Sequence, residues 1–172
     1  MDLYVLILRL AHIVGGVFWV GSAFMMIGFV SPAARGLGPM TGRFFELLIR
    51  RQRFATAIAI ASFLTVVSGI LLYLRDSNGL QPGWITSPVG LGFGIGGVAG
   101  IAAMVLGAGI IGPTSKRMLV VGDAIAQAGG PPSAEALAEI EGYQRRLDSV
   151  SKIVFVLLSI SVVLMAVARN LG

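Results

Sequence analysis

Four long stretches of this 172-residue chain contain no charged residue, and they constrain its fold more than any other feature. With Arg or Lys close to both ends of each, they are Leu10–Ala34, Phe54–Leu74, Ser77–Ser115 and Ile153–Ala168. A bilayer core of roughly 30 Å is crossed by about 20 helical residues, and only helices or closed barrels satisfy every backbone group there. No stretch shows the alternation of strands, so the sequence predicts an all-α, integral membrane four-helix bundle.

The composition supports a single transmembrane bundle over residues 1–172. Hydrophobic residues make up 56% of the chain and charged residues 12%, whereas about a quarter of a soluble domain is charged. We place the spans at about 3–31, 54–75, 88–113 and 150–170, with helical connections at 41–53 and 114–150. Asp2 precedes the first apolar run, where a signal peptide would be basic, so this run is predicted to be a retained helix.

The distribution of basic residues predicts the orientation of the bundle. Ten of the 13 Lys and Arg residues lie in the two longer connections, 35–53 and 116–152. Such connections stay in the cytoplasm, which predicts a bacterial inner-membrane protein that is N-out and C-out, with helices 2 and 4 extended into the cytoplasm. Lipid headgroups, rather than nucleic acid, then account for the net charge of +5.

Helix-breaking residues predict where the helices end. Ser31-Pro32 is expected to stop the first helix, and Pro113 to kink or restart the third. Thr41 is a candidate N-cap for a helix that continues into the second span. Gly129–Pro132 should break the second long connection, after which a long rod begins near Ser133.

Glycines recur at four-residue intervals in the third span, at Gly92, Gly96 and Gly100. This spacing places them on one helix face, where a neighbouring backbone or a flat ligand can approach closely. Helix packing is the favoured interpretation.

His12 is the only histidine, and it lies inside the first span. Arg9, His12, Gly16 and Trp19 follow one another at steps of three and four, so they share a helix face. On a cofactor interpretation, His12 is an axial ligand of haem b and Arg9 pairs with a propionate. Gly15 and Gly16 would leave room for the macrocycle, and Trp19 would line the pocket.

The alternative interpretation of His12 is structural. The imidazole would donate to a carbonyl of a neighbouring helix, while Arg9 marks the membrane surface and Trp19 packs. Copper at His12 is less favoured than haem, because no M-x-x-M or H-x-H spacing accompanies it. No Asp or Glu lies inside a span and no nucleophile constellation is present, so no catalytic residue is predicted.

One segment resembles a known family. Residues 10–21, LAHIVGGVFWVG, resemble the first-helix signature of small bacterial membrane proteins related to the CopD copper-resistance domain and, more distantly, to HemJ-type protoporphyrinogen oxidases. The basic stretch 50–54, Ser68-Gly69 and the closing residues 163–169 also fit this group. The resemblance implies a four-helix bundle with haem b or copper associated at His12, which alone matches the motif histidine.

Three functions remain open. The favoured one is an accessory or scaffold subunit rather than an enzyme, which packs against a larger membrane complex or forms a homo-oligomer in the lipid bilayer. The second is a redox or cofactor-handling protein that uses His12. Transport ranks last, because only the glycine-lined third helix with Pro113 suggests it.

Overall fold

The computed structural model describes residues 3–171, and none of them forms a strand. The α-helices are α1 Leu3–Met25, α2 Ser31–Arg35, α3 Thr41–Glu46, α4 Phe54–Asp76, α5 Pro82–Ile85, α6 Pro88–Leu106, α7 Gly112–Ala128 and α8 Ala134–Val167. Within the described range, four helical stretches are long and apolar enough to cross a membrane: Leu3–Arg35, Phe54–Asp76, Pro88–Ala128 and Ala134–Asn170. The prediction of an all-α chain with four membrane-length helices is confirmed.

The long helices form two closely packed pairs. α1 lies along α4, and α6 lies along α8, while smaller contacts between α4 and α6 and between α1 and α8 join the pairs. A small core forms where all four meet, and its buried members are Trp19, Ala61, Ala103, Val154 and Leu158. Each long helix therefore contributes to one shared centre.

The predicted end of the first helix at Ser31-Pro32 is wrong, because the helical stretch continues to Arg35. A π turn at Met26–Val30 joins α1 to α2, and the Ser31 N–H donates to the Met26 carbonyl, five residues earlier. Proline lacks an N–H and its ring collides with the carbonyl four residues back in a regular α-helix. The wider π turn shifts the hydrogen-bonding register just before Pro32, which lets the chain stay helical.

A π turn also precedes Pro113. A π turn at Gly107–Ile111 follows α6, and the Gly112 N–H donates to the Gly107 carbonyl. Pro113 then lies in the first turn of α7, where its missing N–H costs no intrahelical bond. The helical conformation therefore passes Pro113 without a gap and ends at Ala128.

The connection at 41–53 is a separate helical segment, so the predicted continuous extension of the second helix is wrong. α3 and a π turn at Leu47–Arg51 precede α4, and Arg53 separates them with a positive φ of 53°. A left-handed residue cannot continue a right-handed helix. Thr41 is not an N-cap either: it is the first residue of α3, and its hydroxyl donates to the Ala34 carbonyl at 2.7 Å.

The second long connection contains the predicted break and the predicted rod. α7 ends before Gly129, whose φ is +66°, and α8 then runs without interruption for 34 residues. The Ser133 hydroxyl caps α8 by accepting from the Ala136 N–H at 3.1 Å. The helical connection predicted over 114–150 is therefore two antiparallel helical arms, since α7 packs on α8.

Ion pairs hold the two basic connections together. Arg35 of α2 makes two hydrogen bonds to the Asp148 carboxylate of α8, at 2.7 and 3.0 Å. Arg50 donates to Asp123 of α7 at 2.6 Å, and this hydrogen bond raises the pKa of the Arg50 guanidinium. The acids of one connection thus bond to the arginines of the other at the same end of the bundle.

Candidate functional site

His12 lies where α1 meets α4. Its Nδ1 is 2.8 Å from the backbone carbonyl oxygen of Thr65. Because a carbonyl can only accept, Nδ1 is the donor in this contact. This contact is the one that the structural interpretation of His12 predicts.

Gly69 makes this approach possible. A Cβ atom added at Gly69 would lie 2.8 Å from Cε1 and 3.0 Å from Nδ1 of the His12 ring. Any side chain at this position would displace the imidazole from the Thr65 carbonyl. The sequence marks Ser68-Gly69 as small residues of the second span, but it gives no sign that Gly69 pairs with His12.

Two buried hydroxyl side chains of α4, those of Thr65 and Ser68, lie near this contact. Ser68 Oγ donates to the Leu64 carbonyl at 2.5 Å and approaches the Thr65 carbonyl at 3.2 Å. Thr65 Oγ1 donates to the Ala61 carbonyl at 2.7 Å. These buried hydroxyls satisfy themselves within their own helix, so the His12 bond is the polar link between α1 and α4 at this level.

The glycines of α1 are covered by α4. A Cβ at Gly15 would lie 2.7 Å from Thr65 Oγ1 and 3.3 Å from the Ala61 carbonyl oxygen, and one at Gly16 would lie 3.5 Å from Thr65 Cγ2. The space expected for a macrocycle is therefore filled by the backbone and threonine of α4. A haem does not fit between α1 and α4 at these glycines.

The predicted site residues are only partly brought together. His12, Gly15 and Gly16 meet α4, whereas Trp19 is buried in the central core with Leu158. Arg9 is half-buried one turn from His12. Within residues 3–171, no three His, Asp or Glu side chains come together as a metal site.

The glycine ladder of α6 faces the end of α8. A Cβ at Gly92 would lie 3.0 Å from the Ala168 Cβ, and one at Gly96 would lie 3.2 Å from the Leu164 Cβ. At Gly100 the corresponding distance to Ser161 Oγ is 3.4 Å. These contacts make the ladder a helix-packing surface within the chain.

A small aromatic cluster lies where the end of α4 meets α5. The Tyr73 and Trp84 rings meet edge to face with centroids 5.1 Å apart. The Tyr73 hydroxyl donates to the Gly90 carbonyl at 3.2 Å, and Ser77 nearby in α4's cap is fully buried. Tyr73 and Trp84 are eleven residues apart in the chain, and no sequence pattern marks them as partners.

Comparison with protein-family models, with curated proteins and with solved structures finds no match.

The contact between His12 and Gly69 predicts a coupled stability effect. Gly69→Ala should lower the free energy of unfolding by about 1 kcal/mol, because the displaced ring loses its hydrogen bond to Thr65. In a His12→Ala background the same change should cost almost nothing. Thermal unfolding of the four proteins of this double-mutant cycle in mild detergent measures the coupling.

Gly21→Ala provides the control, since a Cβ there meets no atom within 4 Å. Equal destabilisation by Gly69→Ala with and without His12 would contradict the geometry.

Proposed function

We propose that this chain is a multi-pass protein of the bacterial inner membrane that acts as a small accessory or scaffold subunit of a larger membrane complex. The observation that carries the proposal is the incomplete packing of the first span. Only 6% of its apolar window is buried within the chain, against 22%, 33% and 11% for the second, third and fourth spans. A helix held by one close neighbour offers its remaining surface to another membrane protein.

The outer surface of the described residues supports lipid as the surrounding solvent. Each long helix exposes large apolar side chains, and examples are Val17 at 70%, Phe63 at 60%, Val98 at 67% and Val163 at 58% exposed. Soluble monomers rarely expose continuous apolar patches beyond a few hundred Å². In a bilayer the same surface carries no such cost.

The ion pairs support the proposed N-out, C-out orientation. Arg35 and Arg50 belong to the first basic connection, and their partners Asp148 and Asp123 belong to the second. These ion pairs support placing both connections on one side of a membrane, and their excess of Lys and Arg favours the cytoplasmic side.

The use of His12 favours a scaffold over a catalyst. The one histidine donates to a backbone carbonyl, and the glycines beside it are occupied by α4. Asp123 and Asp148 form ion pairs with arginines of the first basic connection. These groups are engaged in holding helices together.

Co-purification tests the scaffold function. After extraction from native membranes in mild detergent, the tagged chain should retain a stoichiometric membrane protein. Ile7→Ala with Leu10→Ala should release this partner, because both side chains are exposed on α1 at 56% and 54%. Purification in parallel, with quantitative mass spectrometry of each sample, measures the loss.

The matched control is Val156→Ala with Val163→Ala, which removes apolar surface of similar exposure, 54% and 58%, from α8. A lone chain without any stoichiometric partner would contradict the scaffold function. Equal release by both double variants would contradict the role of α1.

A second candidate function keeps His12 as a ligand for haem b or, less favourably, copper. The observation that favours it is the bond from Nδ1 to the Thr65 carbonyl, because ligating histidines usually donate their other ring N–H to such a group. The resemblance to CopD-related and HemJ-type proteins points the same way. A ligand would have to reach Nε2 from outside the α1–α4 contact.

An absorption spectrum separates the two functions. For a scaffold we expect no Soret band in protein purified after expression with ample haem, since α4 fills the space beside Gly15 and Gly16. A band in the unmodified chain that disappears in His12→Ala would establish the cofactor function instead. Gly69→Ala, which displaces the ring without removing it, serves as the companion variant.

A further inference from the structure

An apolar groove runs along the outside of α1 and α4. At one end it has a volume of about 510 Å³ and is lined by Val17, Gly21 and Met25 of α1 and by Phe44, Leu48 and Phe54. A second section of about 430 Å³ shares Phe18 with the first and continues between Val14 and Leu64. The two sections lie next to each other along α1, and Phe18 lines both of them.

Measured along α1, the groove is longer than one leaflet of the bilayer core is thick. Sixteen residues separate Val14 from Val30, which corresponds to about 24 Å at the helical rise of 1.5 Å per residue. One leaflet of a bilayer core is about half of 30 Å thick. An acyl chain that enters beside Phe54 can therefore extend along the groove to the middle of the membrane.

Uncompensated positive charge lies at the Phe54 end of the groove. Arg51 ends the π turn that contains Leu48, and Arg53 directly precedes Phe54. Both arginines are exposed, and neither forms an ion pair within residues 3–171. The nearby acids are engaged elsewhere, as Glu46 binds Arg43 and Asp123 binds Arg50.

Arg53 also adopts an unusual backbone conformation. Its φ of 53° is left-handed, which costs an L-residue of order 1 kcal/mol and is adopted most easily by glycine. The corner between the π turn and α4 thus carries an arginine where glycine would fit better. A cation therefore lies at a strained backbone position directly beside Phe54 and the groove.

We propose that the groove and these two arginines form a binding site for an anionic phospholipid. One acyl chain lies in the groove, and the phosphate accepts hydrogen bonds from the Arg51 and Arg53 guanidinium groups. Charge complementarity selects an anionic headgroup over a zwitterionic one. The inference rests on the membrane insertion in the proposed function and is independent of the scaffold role.

Native mass spectrometry of the full chain in mild detergent tests the headgroup half of the site. With phosphatidylglycerol and phosphatidylcholine offered at equal concentration, the chain should retain phosphatidylglycerol preferentially. Arg51→Gln with Arg53→Gln should lower its apparent affinity for phosphatidylglycerol by about tenfold or more, since each basic residue contributes on the order of 1 kcal/mol to anionic lipid binding. Arg53→Lys should retain most of the affinity.

The matched control is Lys116→Gln with Arg117→Gln. These side chains are also exposed and basic, and they lie in the first turns of α7. Their substitution removes the same amount of charge. They should leave phosphatidylglycerol affinity within about twofold of the unmodified chain, because they do not adjoin the groove. Equal loss in both double variants, or no loss in Arg51→Gln with Arg53→Gln, would overturn the proposal.

A glycine substitution tests the acyl-chain half of the site. Gly21 lines the groove and a Cβ there meets no atom within 4 Å, so Gly21→Leu fills the groove without disturbing the fold. Gly97→Leu is equally unobstructed on α6 and serves as control. Only Gly21→Leu should reduce lipid retention, and unchanged retention in that variant would overturn the groove as the binding site.

Two further measurements separate the role of the Arg53 charge from backbone strain, and the lipid site from the proposed membrane location. Arg53→Gly should raise the melting temperature by relieving the left-handed backbone while it lowers phosphatidylglycerol affinity, and unchanged affinity would contradict the role of the charge.

Resistance of every variant to alkaline extraction from membranes tests insertion itself. A chain that stays inserted without preferring phosphatidylglycerol overturns the lipid site alone, whereas a chain that is extracted overturns the proposed membrane location.

Discussion

Close approach of helix backbones at small residues is the constraint on which the rest of this structure depends. Where lipid surrounds a protein, burying apolar side chains gains little, so helices associate through dense packing and hydrogen bonds. α1 meets α4 at Gly15 and Gly69, and α6 meets α8 at the glycine ladder. Large apolar side chains are left to face outward, and the core that all four helices share is small.

This constraint also determines what the polar residues do. His12 supplies a polar contact between α1 and α4, and it can do so because Gly69 lacks a side chain. At one end of the bundle, Arg35 and Arg50 join the two basic connections, which leaves Arg51 and Arg53 unpaired within the described residues. The proposed functions follow from this division, since the buried polar groups hold helices and the unpaired cations remain available to ligands.

The four membrane-length helices were predictable because missing charge over about 20 residues is a local property of the sequence. The break at Gly129–Pro132 and the rod from Ser133 were predictable because the helix-breaking effect of Gly and Pro is also local. The passage of helix through Pro32 was not, because it depends on a π turn whose hydrogen bonds shift by one residue. The partners of His12 and Thr41 were also hidden: His12 bonds to a carbonyl 53 residues away, and the Thr41 hydroxyl reaches back to Ala34. Such pairings depend on the approach of two helices, which composition and spacing leave open.

Lipid as the solvent of the exposed apolar surface is the central claim, and cysteine labelling in native membranes tests it most directly. The chain contains no cysteine, so each introduced thiol reports on one position. Single substitutions Ile13→Cys, Val98→Cys and Val163→Cys should react with a water-soluble maleimide only after denaturation in SDS, because these side chains are exposed on the apolar surface. Gln52→Cys and Gln127→Cys in the connections should react in permeabilised, undenatured membranes. Rapid labelling of Ile13→Cys or Val98→Cys in those membranes would contradict the account.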